Sequence, residues 1–209
     1  MYNCVETQGA LPLAACLTSL YVRVHEDDGM IATLFGRKKI TEDRLSNAFV
    51  NSILALTENG FPNVAAELIE SPEFATAPFF GPEDEELFAL IVLAGNLMEA
   101  PRWLGAGQDK RFVSLSISKF SEATGRDCSR TENQVMEMQG VMGRLNHPSK
   151  NPVYAMSKAV FHHYGLFRFQ DDYFRELKAP NPIILRRIDN LMAFFLWNWE
   201  EFMGEYKVV

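Results

Sequence analysis

One stretch near the end of the chain, residues 182–206 (PIILRRIDNLMAFFLWNWEEFMGEY), most limits what this sequence can fold into. Ile184, Ile188, Leu191, Phe195, Trp199, Phe202 and Tyr206 recur at spacings of three and four, and Leu185, Met192, Leu196 and Met203 widen the stripe. This is the helical period, with an apolar arc broader than a surface helix needs. Asn181 is a good N-cap, and Pro182 stands at the first helical position, where its missing N–H costs nothing. A continuous helix here would run roughly 35 Å, about the diameter of a domain this size. The expectation is a long C-terminal helix at the centre of a bundle. Its charges are odd. Glu200, Glu201 and Glu205 lie near its negative end and Arg186 and Arg187 near its positive start, so neighbouring helices are expected to compensate them.

The rest of the chain also reads as helical. Thr41 caps a segment striped by Leu45, Phe49, Ile53 and Leu56, and Asn59-Gly60 supplies a stop before a second short helix over 62–70. Residues 87–98 (LFALIVLAGNLM) are apolar on nearly all sides, which marks a buried helix too short to span a bilayer. Residues 110–124 carry both an alternating and a helical pattern, and Gly125 tips the reading to helix. Overlapping capping boxes at Ser129–Glu132 and Thr131–Gln134 start the next helix, with Gly140 and Gly143 expected to let a neighbour close. Asn151-Pro152 starts another that Gly165 ends, and 166–178 reads as a short extended piece and then a turn or two of helix. The 209 residues show no repeat, linker or low-complexity tract. The fold class expected is therefore all-α: a single-domain helical bundle of about seven helices over 30–209.

Residues 1–29 differ in kind. The run 11–22 (LPLAACLTSLYV) resembles a secretory h-region, and Leu13-Ala14-Ala15-Cys16 resembles a lipoprotein cleavage site, but no Lys or Arg precedes them. The run is read instead as a short strand or helix lying on the domain. The turn-like Glu26-Asp27-Asp28-Gly29 just before Met30 leaves a second possibility, a translation start at Met30.

Net charge is −7, a field that repels phosphate backbones and anionic lipids, and the short basic run Arg37-Lys38-Lys39 reads as a solvated face. Neither nucleic acid nor membrane is expected as a partner. The three cysteines (Cys4, Cys16, Cys128) form no CxxC, which suits a cytoplasmic setting.

Chemistry is sparse. No HExxH, Glu-x-x-His, His-Asp or G-x-S-x-G occurs, and Gly105-Ala106-Gly107 lacks the spacing of a phosphate loop. Adjacent His162 and His163 point about 100° apart on a helix. The residual metal idea sets one of them beside Asp171 and Asp172. Three rings in 74–82 (Phe74, Phe79, Phe80) need a reason to sit in a loop: either they plug the core or they make an aromatic knuckle. The leading expectation is a non-enzymatic cytosolic protein acting through protein–protein contact, with a protein partner or a second copy, no cofactor, and Phe79, Phe80 and Trp103 as the interaction residues. The alternative is a metal-dependent or small-molecule enzyme with a site between helices near His162, His163, Asp171 and Asp172.

Overall fold

A computed structural model describes residues 37–209. The expectations for 1–29, for the run 11–22 and for Met30 lie outside the described residues. Seven helices account for most of the described chain: α1 (Glu42–Ile69), α2 (Glu83–Leu97), α3 (Gln108–Thr124), α4 (Cys128–Asn146), α5 (Pro152–His163), α6 (Pro182–Met192) and α7 (Trp199–Glu205). Single turns at Ala100–Trp103, Leu166–Phe169, Asp172–Glu176 and Ala193–Phe195 fill the connections. Two three-residue strands, β1 (Lys38–Ile40) and β2 (Tyr206–Val208), pair in parallel and tie the start of the described chain to its end. The all-α bundle expected from periodicity is what forms.

The centre is α2. Every residue from Phe88 to Leu97 is buried, so this helix touches protein on all sides, and it packs against α1, α4 and α5. Four acids in its first turn (Glu83, Asp84, Glu85, Glu86) complement the positive end of the helix dipole. The C-terminal stretch is central only in part. It begins as read, with Asn181 Oδ1 accepting from Ile183 N at 2.9 Å, but α6 ends at Met192. The chain then passes through the turn Ala193–Phe195 and an extended Leu196 before α7 starts. The apolar period runs unbroken through this kink because both halves bury into the same core, Ile184, Ile188 and Phe195 before it and Trp199 and Phe202 after it. What breaks the helix is a polar residue of α2. Asn96, fully buried, donates from Nδ2 to the Phe195 carbonyl at 2.8 Å and accepts from Trp197 N at 2.6 Å.

The break also explains the charges. Glu200 and Glu201 lie in the first turn of a new helix, where the dipole favours them. Asn198 caps that helix by accepting from Glu201 N at 3.2 Å, and its Nδ2 donates to Glu201 Oε2 at 2.8 Å. Arg187 of α6 is met by Glu73 at 3.0 Å and Glu67 at 3.7 Å, the compensation expected of neighbours.

Three further readings change. Asn59-Gly60 does not stop α1, which continues through Pro62 to Ile69. Phe61 just before the proline and Val64 and Leu68 beyond it are buried, and that burial outweighs its local cost of about 3 kcal/mol. Asp127, not Ser129 or Thr131, caps α4, accepting from Arg130 N at 2.8 Å, while Thr131 is buried with its hydroxyl donating to the Asp127 carbonyl. The close approaches occur at Gly60 and Gly95 rather than at Gly140 and Gly143. A Cβ on Gly60 would lie 2.6 Å from Cε1 and Cζ of the buried Phe195 ring, and one on Gly95 would strike Met156 of α5. The helix expected over 110–124 forms as α3.

Opposite signs are expected for two alanine substitutions in urea unfolding. Gly143→Ala, exposed with open space at its Cβ, gains up to about 1 kcal/mol from helix propensity. Gly60→Ala has the same propensity gain available but overpacks Phe195 and loses about 1–3 kcal/mol net. A stabilised Gly60→Ala contradicts the packing described.

Candidate functional site

The loop 74–82 divides its rings. Phe74 is buried against Phe169, and the loop is fastened there by Ala75 N and Thr76 N, which donate to the Phe169 carbonyl at 2.8 and 3.3 Å. Phe80 turns inward and packs edge-on to Phe61 (6.1 Å between centroids) and Tyr164 (5.3 Å). Tyr164 is itself locked, donating its hydroxyl to the Asp84 carbonyl at 2.6 Å, and burial pushes its phenol far up. Phe79 alone faces solvent, 80% exposed between a buried Pro78 and the seated Phe80. The core reading holds for Phe74 and Phe80, and Phe79 is left exposed between its anchored neighbours. Trp103 ends the turn after α2 and is 39% exposed. Among the described residues no ring contact joins it to Phe79 or Phe80.

The histidine and aspartate residues are not brought together as a metal site. Asp171 caps the turn Asp172–Glu176 by accepting from Phe174 N at 3.2 Å, and Asp172 pairs with Arg175. The two histidine rings lie 5.2 Å apart and nearly perpendicular. His163 places Nε2 in the interior without a hydrogen-bond partner, whereas His162 lines an outer cleft. Among the described residues no three His, Cys, Asp or Glu side chains converge to hold a metal ion.

That cleft, about 510 Å³, opens between α5 and the loop 171–180. Its apolar surface comes from Leu145 at the end of α4, Phe161 of α5, Phe167 of the turn Leu166–Phe169, and Pro180. Its polar surface is entirely basic: Lys158 and His162, one helical turn apart on α5, and Arg175 and Lys178 from the loop. Gln170 shapes the loop. Fully buried, it donates from Nε2 to the Ala179 carbonyl at 3.1 Å and accepts from Asn181 N at 2.5 Å, so one side chain pins both ends together. Lys178 completes the bend with φ of 50°, a conformation uncommon for a residue other than glycine. Of this constellation the sequence reading found only His162. The spacing of Lys158 and His162 was visible as i, i+4, but the loop cations meet them only because Gln170 closes the loop.

Comparison with protein-family models, with curated proteins and with solved structures finds no match. Among the described residues no helix is long and apolar enough to cross a membrane.

Burial, and secondarily the neighbouring His162, hold the His163 pKa below the ordinary histidine value. A base whose folded pKa is depressed contributes full stability above its unfolded value near 6.5 and loses it as pH falls toward the folded value. A ring-proton NMR titration is expected to give His163 a midpoint below 6.5, and His163→Gln is expected to lessen the fall in melting temperature between pH 7.5 and 5.5. A midpoint at or above 6.5 contradicts the burial assigned to this ring.

Proposed function

We propose that this chain is a non-enzymatic helical protein that acts through contact with another protein, Phe79 being the anchor. The observation that carries the reading is the exposure of Phe79 on a loop whose other rings are seated in the core. A large apolar side chain whose backbone neighbours are seated in the core has less backbone freedom to lose on binding, and aromatic residues dominate interfaces. The partner is a protein or a second copy of the chain. Phe80 leaves the interaction set and joins the core, while Trp103 stays as a possible second contact on a separate element. A cytoplasmic setting rests on the sparse cysteine usage, three in number with no CxxC. A second reading, a small-molecule site between helices, is supported by the cleft that His162 lines.

The test separates the two phenylalanines. Phe79→Ser is expected to leave stability within about 0.5 kcal/mol of the unaltered chain, as for other surface changes, and Phe80→Ser to lose about 1–3 kcal/mol from the ring cluster. A photoreactive phenylalanine at position 79 in the native host is expected to give one discrete protein adduct. The same probe at Met136, also solvent-facing on α4, is expected to give none. Identical patterns from the two positions, or no adduct at 79, overturn the reading.

A further inference from the structure

We propose that the basic cleft between α5 and the loop 171–180 binds a small organic carboxylate with an apolar body. A volume of about 510 Å³ falls within the range of small-molecule sites, and a mostly apolar lining with a few convergent polar groups is their usual make-up. The sign is what distinguishes it. In a chain of net charge −7, the four polar side chains lining this cleft are all nitrogen bases, with no carboxylate among them. Two other hollows among the described residues mix signs: one among α1, α2 and α3 sets Glu58, Glu85 and Glu86 with Arg126, and one at α6 sets Glu67 and Glu73 with Arg186 and Arg187.

A plainer account makes these cations partners for helix ends, and it covers Lys158, whose Nζ donates to the Leu145 carbonyl at 2.6 Å and lies 4.2 Å from the centre of the Tyr154 ring. It does not cover the loop. Lys178 has no carboxylate within ion-pair distance among the described residues. Arg175 has only Asp172, whose side chain is 80% exposed, and an exposed pair of this kind is readily exchanged for a better-placed anion. The loop that carries both is fixed by Gln170 at each end, so their charges stand at the mouth before any ligand arrives.

The head group is assigned as a single negative charge. The cleft is walled by the C-terminal parts of α4 and α5, whose negative dipole ends weigh against any anion and about twice as heavily against a dianion. Among the described residues, none that lines it lies in the first turn of α1–α7, where free backbone N–H groups would cradle a phosphate. Phe161, Phe167 and Leu145 supply the surface against which an alkyl or aromatic body would lie, the carboxylate remaining at Lys178 and Arg175.

The test uses decanoate as the probe, titrated into the isotope-labelled full chain and followed by NMR. Saturable one-to-one binding is expected, with the largest shifts at Phe161, Phe167 and Lys178. Decanol, which keeps the body and lacks the charge, is expected to bind about tenfold more weakly, and decyl phosphate no more tightly than decanoate. Arg175→Gln and Lys178→Gln, both at exposed positions, are expected to keep the melting temperature, to weaken decanoate binding roughly threefold each and to weaken it about tenfold together. Equal affinity for decanol, an unchanged affinity in the double variant, shifts centred elsewhere, or no saturable binding each overturns the proposal. Tighter binding of decyl phosphate overturns the carboxylate assignment.

Discussion

The side-chain amide of Asn96 is the interaction on which the C-terminal third of this molecule depends. It sits near the end of the buried stretch Phe88–Leu97, which is otherwise apolar, and a polar group so placed is costly unless satisfied. Three bonds satisfy it: Nδ2 donates to Val92 O in its own helix and to Phe195 O, both at 2.8 Å, and Oδ1 accepts from Trp197 N. The last two belong to backbone groups on either side of Leu196 that no regular element serves. Leaving such a pair buried without partners costs about 1–3 kcal/mol per group. One amide therefore stands in for the helical bonds lost at the kink, and the kink lets α6 pack on α5 while Trp199 of α7 reaches α1 and α3.

That arrangement sets the aromatic core. Ending α6 before Leu196 drops the Phe195 ring edge-on to Phe88 at 4.9 Å and over Gly60, where no side chain intervenes. Restarting at Trp199 brings its indole against Phe49 and Phe112, joining α7 to α1 and α3. The chain then finishes as β2 beside β1, with Val209 N donating to the Ile40 carbonyl at 2.9 Å. A straight helix over 182–206 could not lay its first half on α5 and still return its end to β1.

Local chemistry was legible where local chemistry decides. The caps at Thr41, Asn151 and Asn181 act as their sequence neighbours imply, and of the run 87–98 all but its two end residues, Leu87 and Met98, are buried. The misreadings share a cause. Asn59-Gly60 signals a helix stop by its own propensity, yet Gly60 is small because Phe195, distant in sequence, lies on it. The kink at Leu196 left no trace in the apolar period because both flanking helices bury into one core. The cue that was present, Asn198 followed by Glu201 as a capping box, sat inside a stripe too regular to suggest a new start. The site was less legible still. Adjacent histidines drew attention to His162, but Gln170, a lone buried amide, determines which loop cations face it.

The most direct measurement is native-state hydrogen exchange at the Trp197 amide. That group lies in irregular backbone between a 3₁₀ turn and a helix, where exchange through local opening is the ordinary outcome. If Asn96 holds the kink as described, the Trp197 amide exchanges only on global unfolding, at the rate of the interior amides of α2. Exchange at the rate of exposed loop amides would contradict the account, because the bond on which the C-terminal packing rests would then open independently of the core.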